Sequence, residues 1–159
     1  MDKKSPVLQV SFQGRGKFED LPNRSVMIRW MKRAMRTDGV ITVRFVDLDE
    51  GLELNSTYRH KDYATNVLTF DYCHDPVEAD LVICVPVLLR EAREQNKTFK
   101  EHLAHLLVHG VLHAQGYDHM TEEEAKIMEQ EETTVLTSLG FATPYPDREY
   151  TVATSFSKN

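Results

Sequence analysis

The sequence predicts a single domain of the α+β class, with four strands and about five helices. Three observations lead to this class. Apolar runs at strand spacing occupy 7–12, 41–47, 67–72 and 80–85. Segments with apolar residues at helical spacing lie between and after these runs, and two of them open with capping-box sequences, at 98–101 and 121–124. A length of 159 residues suits one domain with its own core.

In the N-terminal half, the first two predicted strands are each followed by a helix. Asp20–Asn23 opens the first helix, whose apolar stripe contains Trp30 and whose end is rich in cations. The acidic run from Asp47 to Glu53 is expected to break the second strand, so the next helix is predicted only from Leu54 to His60. This places the polar cluster around Arg59 between two strands, where loops commonly build sites.

In the C-terminal half, strands 67–72 and 80–85 are expected to pair antiparallel through a connection over 73–79. The strand at 80–85 is almost continuously apolar, which predicts a position inside the sheet. A helix is predicted over 87–95. The segment after Thr98 carries apolar residues on nearly all sides and is therefore predicted to form a buried central helix.

The last predicted helix begins at Thr121 and ends near Gly140, because glycine tolerates the left-handed conformation at a helix end. We predict that residues 1–142 form the domain. Residues 143–159 contain two prolines and many Ser and Thr, so we expect a flexible C-terminal tail there.

The composition excludes several classes of protein. A hydrophobic content of 41% and a charged content of 28% are typical of a soluble globular chain. No apolar run approaches the roughly 20 residues that cross a bilayer, and no signal-peptide core is present, so we expect a cytoplasmic protein with no membrane association. Cys73 and Cys84 form no CxxC pair and are expected to be reduced thiols rather than metal ligands.

The net charge of −6 is unevenly distributed. Residues 1–70 contain 12 Lys and Arg against 9 Asp and Glu, whereas residues 71–159 contain 7 against 16. An anionic ligand is therefore expected to approach the N-terminal half more easily, although an ordinary solvated surface explains the charge equally well.

The stretch from His109 to His119 carries the clearest chemical signal. His109 and His113 are four residues apart, so on a helix they lie on one face. Gly116 can end that helix in a left-handed turn, which would bring His119 back toward the other two. Three neutral imidazoles around an open fourth position are typical of a catalytic site for one Zn²⁺ ion, although nickel, copper or iron also accept imidazole ligands.

His102 and His105 lie on the same predicted helix, but three histidines already suffice for such a site. We expect polar or supporting roles for these two residues.

The histidine spacing matches that of the metzincin proteases, except that Gly110 stands where those proteases have a glutamate. A three-histidine zinc activates water, so hydrolysis is the expected chemistry, but the usual protease base is absent. The nearest acids in sequence are Asp118 and Glu122–Glu124, and Asp118 could instead orient a ligand histidine. Arg59 would hold a phosphate if it lies near the metal, although an exposed arginine on a helix is the simpler explanation.

The block from His102 to His119, followed by Glu124-Ala125 and Met128-Glu129, resembles the bacterial YbeY family of endoribonucleases, also called rRNA maturation factors. Segments 54–62 and 65–70 resemble a second block of that family. The resemblance implies a mixed four-stranded sheet packed with helices. It also implies a zinc-dependent endoribonuclease that acts on single-stranded RNA in 16S rRNA 3′-end maturation and ribosome quality control.

Position by position, His109, His113 and His119 match the zinc ligands of the family, and Arg59 matches its functional arginine. Arg59 and His113 are therefore the candidate catalytic residues. The implied partners are the 16S rRNA precursor and the ribosome or its small-subunit proteins. Two alternatives stay open: a metallohydrolase of peptides or amides, and a non-enzymatic ribosome assembly factor with a structural zinc.

Overall fold

The computed structural model describes residues 5–61 and 65–146 of the chain. Within them lie four strands: β1 (Leu8–Gln13), β2 (Gly39–Val46), β3 (Val67–His74) and β4 (Val77–Cys84). The helices of the same residues are α1 (Arg24–Arg33), α2 (Leu48–Arg59), α3 (Val85–Glu94), α4 (Phe99–Ala114) and α5 (Glu122–Ser138). A short 3₁₀ turn at Arg15–Lys17 precedes α1. This is the predicted α+β class, with the predicted helices and strands in the predicted order.

The four strands form one mixed sheet in the order β1-β2-β4-β3. β1 pairs with β2, and β2 with β4, in parallel, whereas β3 pairs with β4 antiparallel along the edge. The interior position of β4 and its antiparallel pairing with β3 are both confirmed. The nearly continuous apolar sequence of β4 suits a strand with neighbours on both sides.

The two faces of the sheet differ. One face packs against α1 and α4, and its inward residues Ile41, Val43 and Leu81 are completely buried. On the other face, α2 covers one end, where Val46 and Val82 belong to a second small apolar cluster, and no other helix of residues 5–61 and 65–146 covers the rest. The remainder of this second face carries exposed side chains, among them Gln9, Ser11, Gln13 and Val40.

Helix α4 occupies the centre of the domain, as predicted. It contacts β3, β4, α1, α3 and α5, and most of its side chains are buried. Its start is set by a capping box, in which the Thr98 side chain accepts from the backbone N–H of Glu101 while the Glu101 carboxylate accepts from that of Thr98. A rigid element packed on several sides therefore carries the histidines.

Helix α2 is longer than predicted. It begins at Leu48, where the acidic run was expected to form an irregular break. Asp47 caps the helix by accepting a hydrogen bond from the backbone N–H of Glu50, and Asp49 and Glu50 lie in the first turn, where the helix dipole favours negative charge. The acidic run ends the strand but starts the helix.

The connection between β3 and β4 is shorter than predicted. Both strands continue through most of the segment 73–79, and the turn itself consists of Asp75 and Pro76. The ladder contains an irregularity between Asp71 and Cys73, which leaves Tyr72 without a register partner on β4.

Several local predictions hold near the C-terminus. Thr121 and Glu124 form the second capping box, and Gly140 follows α5 with a φ of 93°. Cys73 and Cys84 are free thiols, as expected. The proposed tail stays a prediction, because residues 147–159 lie outside the described part of the chain. No helix within residues 5–61 and 65–146 is long and apolar enough to span a membrane.

Candidate metal centre and active-site cleft

Four histidines form a row along α4, at positions 102, 105, 109 and 113. Spacings of three and four residues place all four on one side of the helix. The exposed fraction of the side chain rises along the row, from 4% at His102 through 15% at His105 to 27% at His109. The row therefore runs from the packed interior toward an open cleft.

A left-handed turn brings the third predicted ligand to the end of this row. Gly116 has a φ of 105°, and the backbone N–H of Tyr117 donates to the carbonyl of Leu112. The chain then reverses, so the His119 ring lies 5.7 Å from the His109 ring and 6.3 Å from the His113 ring, measured between centroids. The structure thus brings His109, His113 and His119 together.

The ring nitrogens of His109 and His113 are oriented in the same way. His113 Nδ1 lies 3.0 Å from the carbonyl oxygen of Tyr117, and a carbonyl can only accept, so Nδ1 carries the proton. His109 Nδ1 lies 2.6 Å from a carboxylate oxygen of Glu132 and is protonated for the same reason. In both rings the unprotonated Nε2 keeps the lone pair that a metal ion requires.

Glu132 is a functional candidate that the sequence reasoning missed. It lies on α5, its side chain is 1% exposed, and its two carboxylate oxygens accept from His109 and His105 at 2.6 and 2.7 Å. Tyr145 also donates to it. Burial alone would raise the pKa of this carboxyl, but the hydrogen bonds from His105 and His109 outweigh burial and lower the pKa to about 2. Glu132 is therefore ionised and can only accept.

The inner histidines are bonded through the opposite nitrogen. His102 Nε2 lies 2.8 Å from Glu91, and His105 Nε2 lies 2.7 Å from Glu132. Among the described residues, Nδ1 of both rings is buried and has no hydrogen-bond partner. Burial lowers the pKa of His102 despite the opposing effect of Glu91. Neither inner ring directs a free Nε2 toward the cleft.

The donor set of the outer histidines fits a divalent metal ion in its chemistry. Three neutral imidazoles suit zinc, and two of them have their Nε2 lone pairs free. Within the described residues, however, no three His, Cys, Asp or Glu side chains already stand at positions that would hold an ion. His109, His113 and His119 are the residues that would hold such an ion, and it would supply a Lewis acid at the cleft.

Arg59 lies at the same cleft as the three histidines. The cleft has a volume of about 490 Å³, and its lining includes Arg59, Thr69 and the three predicted ligands. Arg59 Nη2 donates to the carbonyl of Thr69 at 2.9 Å, and the guanidinium carbon lies 5.4 Å from the centroid of the Phe70 ring. The last residue of α2 is thus anchored to the edge strand β3 beside the histidines.

The acids that the sequence suggested as bases lie in different places. Asp118 lines the cleft, accepts from the backbone N–H of His119 at 2.7 Å, and approaches the His119 ring only to 3.8 Å. Glu122–Glu124 are exposed at the start of α5, where Glu124 completes the capping box. A further acid, Asp71, is hydrogen-bonded to His74; burial opposes the shift, but this hydrogen bond, reinforced by His113, lowers the pKa of Asp71.

Gly110 follows the first predicted ligand and faces the sheet. A Cβ at this position would lie 3.0 and 3.1 Å from the two methyl carbons of Leu81 on β4. Such contacts are tight even for an alanine. The close approach of α4 to β4 therefore explains why this position has no side chain.

Comparison with known proteins identifies a family for most of the chain. The family model described as Endoribonuclease YbeY matches residues 14–140. A protein of Albidiferax ferrireducens named Endoribonuclease YbeY is 59% identical over 126 residues, which cover 79% of this chain and 84% of that protein. A protein of Delftia acidovorans with the same name is 56% identical over 146 residues, which cover 87% and 95%.

The fold also matches a solved structure. The solution structure of TM1509 from Thermotoga maritima is 26% identical in sequence and superposes with a TM-score of 0.56. The match covers 83% of this chain and 92% of that chain. The mixed sheet and its surrounding helices are thus shared with a protein of known structure.

Proposed function

The chain belongs to the YbeY family of endoribonucleases, and from this membership we propose that it is a zinc-dependent endoribonuclease specific for single-stranded RNA. We further propose that it acts in the cytoplasm on the 3′ end of 16S rRNA and in ribosome quality control, with the ribosome or its small-subunit proteins as partners. The observation that carries the proposal is the convergence of three histidines and Arg59 on one cleft.

In this proposal, His109, His113 and His119 would hold the metal, His109 and His113 through the Nε2 atoms that their hydrogen bonds leave free. When bound, zinc supplies a Lewis acid that activates water or polarises a phosphate oxygen. Glu132 and the Tyr117 carbonyl keep the protons of two of these imidazoles on Nδ1 and so hold both rings in the metal-binding tautomer.

Arg59 stabilises the negative charge that develops on the phosphate during cleavage. One of its N–H groups is used by the Thr69 carbonyl, and the Phe70 ring lies beneath its guanidinium. These two contacts restrict the side chain, so its remaining N–H groups can meet two phosphate oxygens with little loss of entropy.

The peptidase alternative lacks its general base. A protease of this spacing needs a carboxylate directly after the first histidine. Gly110 offers none, and a Cβ at this position would already lie 3.0 Å from a methyl carbon of Leu81, which leaves little room for a longer side chain.

Two substitutions test the proposal. His113→Ala should lose zinc and RNA cleavage together, because it removes a ligand. Arg59→Ala should keep zinc but lower the cleavage rate roughly 10²- to 10³-fold, the usual cost of removing one group that stabilises transition-state charge. Zinc content is measured by elemental analysis, and cleavage by gel analysis of a labelled single-stranded RNA with and without chelator.

Arg59→Lys is the matched control, since it keeps the charge but loses the two-pronged geometry, and it should recover only part of the rate. Full activity in Arg59→Ala would remove this residue from the mechanism. Chelator-resistant cleavage by the wild-type protein would refute the metal dependence itself.

A further inference from the structure

The face of the sheet opposite α4 is unusual for parallel strands. β1, β2 and β4 run parallel, and parallel strands are generally covered on both faces. Here the side chains of Ser11, Gln13 and Val40 on this face are exposed. Among the residues that the structure describes, this part of the parallel face is uncovered and therefore accessible to a ligand.

Three aromatic residues, which we call the aromatic track, lie along one border of this face. Tyr58 comes from the end of α2, and Phe70 and Tyr72 come from β3. Tyr58 and Tyr72 are 58% and 67% exposed, although aromatic rings of this size are usually largely buried. The Tyr58 and Phe70 rings meet edge to face, with centroids 5.5 Å apart.

The aromatic track begins where the active-site cleft ends. Arg59 lines the cleft and reaches across the β3 edge to the Phe70 ring, while Phe70, Tyr58 and Tyr72 line a second hollow of about 310 Å³ on the opposite face. A single-stranded RNA held at Arg59 can therefore pass over the β3 edge of the sheet and reach the aromatic track directly.

The charged groups named beside the track carry no net positive charge, so RNA affinity there would have to come from stacking on the rings. Arg44 lines the same hollow and is paired with Glu50. Asp80 accepts a hydrogen bond from the Tyr72 hydroxyl at 2.9 Å, which also holds the Tyr72 ring in place. Exposed aromatic rings on a sheet surface are the means by which several RNA-binding domains stack the bases of single-stranded RNA.

We propose that the aromatic track binds the part of a single-stranded RNA that leaves the cleft past Arg59, by stacking bases on Tyr72 and Tyr58. The inference rests on the proposed function, because it extends the path of that same substrate. It assigns to the second sheet face a role in substrate affinity, separate from the chemistry at the histidines.

Tyr72→Ala is the decisive variant, since this side chain is exposed and lies outside the core. Its affinity for a fluorescently labelled single-stranded RNA of about 16 nucleotides should fall roughly tenfold, the usual cost of one lost base–aromatic stack. Binding is measured by anisotropy on ice with the protein as purified, and gels confirm that the RNA stays intact. In cleavage assays KM should rise while kcat changes little, because stacking is remote from the reacting phosphate.

Two controls separate stacking from other effects. Tyr72→Phe loses the bond to Asp80 but keeps the ring, so its affinity should stay much closer to that of the wild type than the affinity of Tyr72→Ala does. Ile127→Ala removes an exposed apolar side chain from α5 and should also bind normally. The loss of affinity caused by Tyr72→Ala should be smaller for an RNA of about four nucleotides. A general folding defect would instead weaken the binding of both RNAs alike.

Unchanged affinity of Tyr72→Ala for the long RNA would overturn the aromatic track and leave the proposed function standing. The aromatic track is also overturned if this variant keeps RNA binding but loses association with ribosomal subunits, since the face would then contact protein. A wild-type protein that neither binds nor cleaves the RNA would overturn both proposals.

Discussion

The two ends of the histidine row on α4 use the same residue type in opposite ways. His102 and His105, at the inner end, are bonded to carboxylates through Nε2. His109 and His113, at the outer end, are bonded through Nδ1 and leave Nε2 free. A histidine becomes a metal-ligand candidate through the nitrogen that its neighbours occupy, rather than through its position in a motif.

Glu132 connects the two ends, because one oxygen accepts from His105 and the other from His109. The same carboxylate therefore occupies the Nε2 of one ring and leaves the Nε2 of the other free. Three experiments test whether this difference is real.

The largest effect is expected when a histidine at the outer end is replaced and compared with a replacement at the inner end. His109→Gln should weaken zinc binding by more than about 100-fold if His109 is the ligand that we propose, whereas His105→Gln should cost much less. Competition against a chromophoric chelator gives both affinities. Equal losses in the two variants would mean that the inner and outer histidines are not functionally distinct.

An intermediate effect is expected from the shared carboxylate. Glu132→Gln removes the charge that holds the His109 proton on Nδ1, so zinc affinity should fall about 10- to 100-fold. Glu123→Gln, an exposed position on the same helix, is the matched control and should bind zinc normally. If both variants match the wild type in the chelator competition, Glu132 has no part in preparing the site.

The smallest effect is expected at the inner end and concerns stability. Burial lowers the pKa of His102 below its ordinary 6.5, so the unfolded chain takes up a proton at a higher pH than the folded one. The free energy of unfolding should therefore fall as the pH drops below 6.5, and this dependence on pH should be weaker in His102→Gln. Denaturant unfolding on both sides of this pH, with chelator in every sample, measures the difference; parallel pH profiles would contradict it.

The parts of the fold that were predictable depend on short-range chemistry. Capping boxes at Thr98 and Thr121 and the left-handed turn at Gly116 involve only neighbouring residues, and the structure shows each of them. The predicted start of α2 was wrong because an acidic run suits both a loop and the first turn of a helix. Asp47 decides between them through its contact with Glu50, which the composition alone does not reveal.

The site divides in the same way, into a short-range feature that was predictable and a contact between distant residues that was not. The spacing of His109, His113 and His119 predicted that they would lie together, and their rings do lie together, while metal binding stays a prediction. Glu132 was missed because it lies 23 residues from His109 on another helix. A signal did exist, since Glu132 is the single acid on the buried stripe formed by Met128, Val135 and Leu136. An isolated carboxylate on an apolar stripe must have a partner.

The tight contact between Gly110 and Leu81 limits how this scaffold can be repurposed. Directed evolution toward peptide cleavage would have to place a carboxylate at position 110, where the helix and the sheet already touch. A side chain at position 110 would first have to displace the Leu81 side chain by a few tenths of an ångström before it supplied any base. Placing an acid after the first histidine of this spacing would therefore also call for a smaller side chain at position 81.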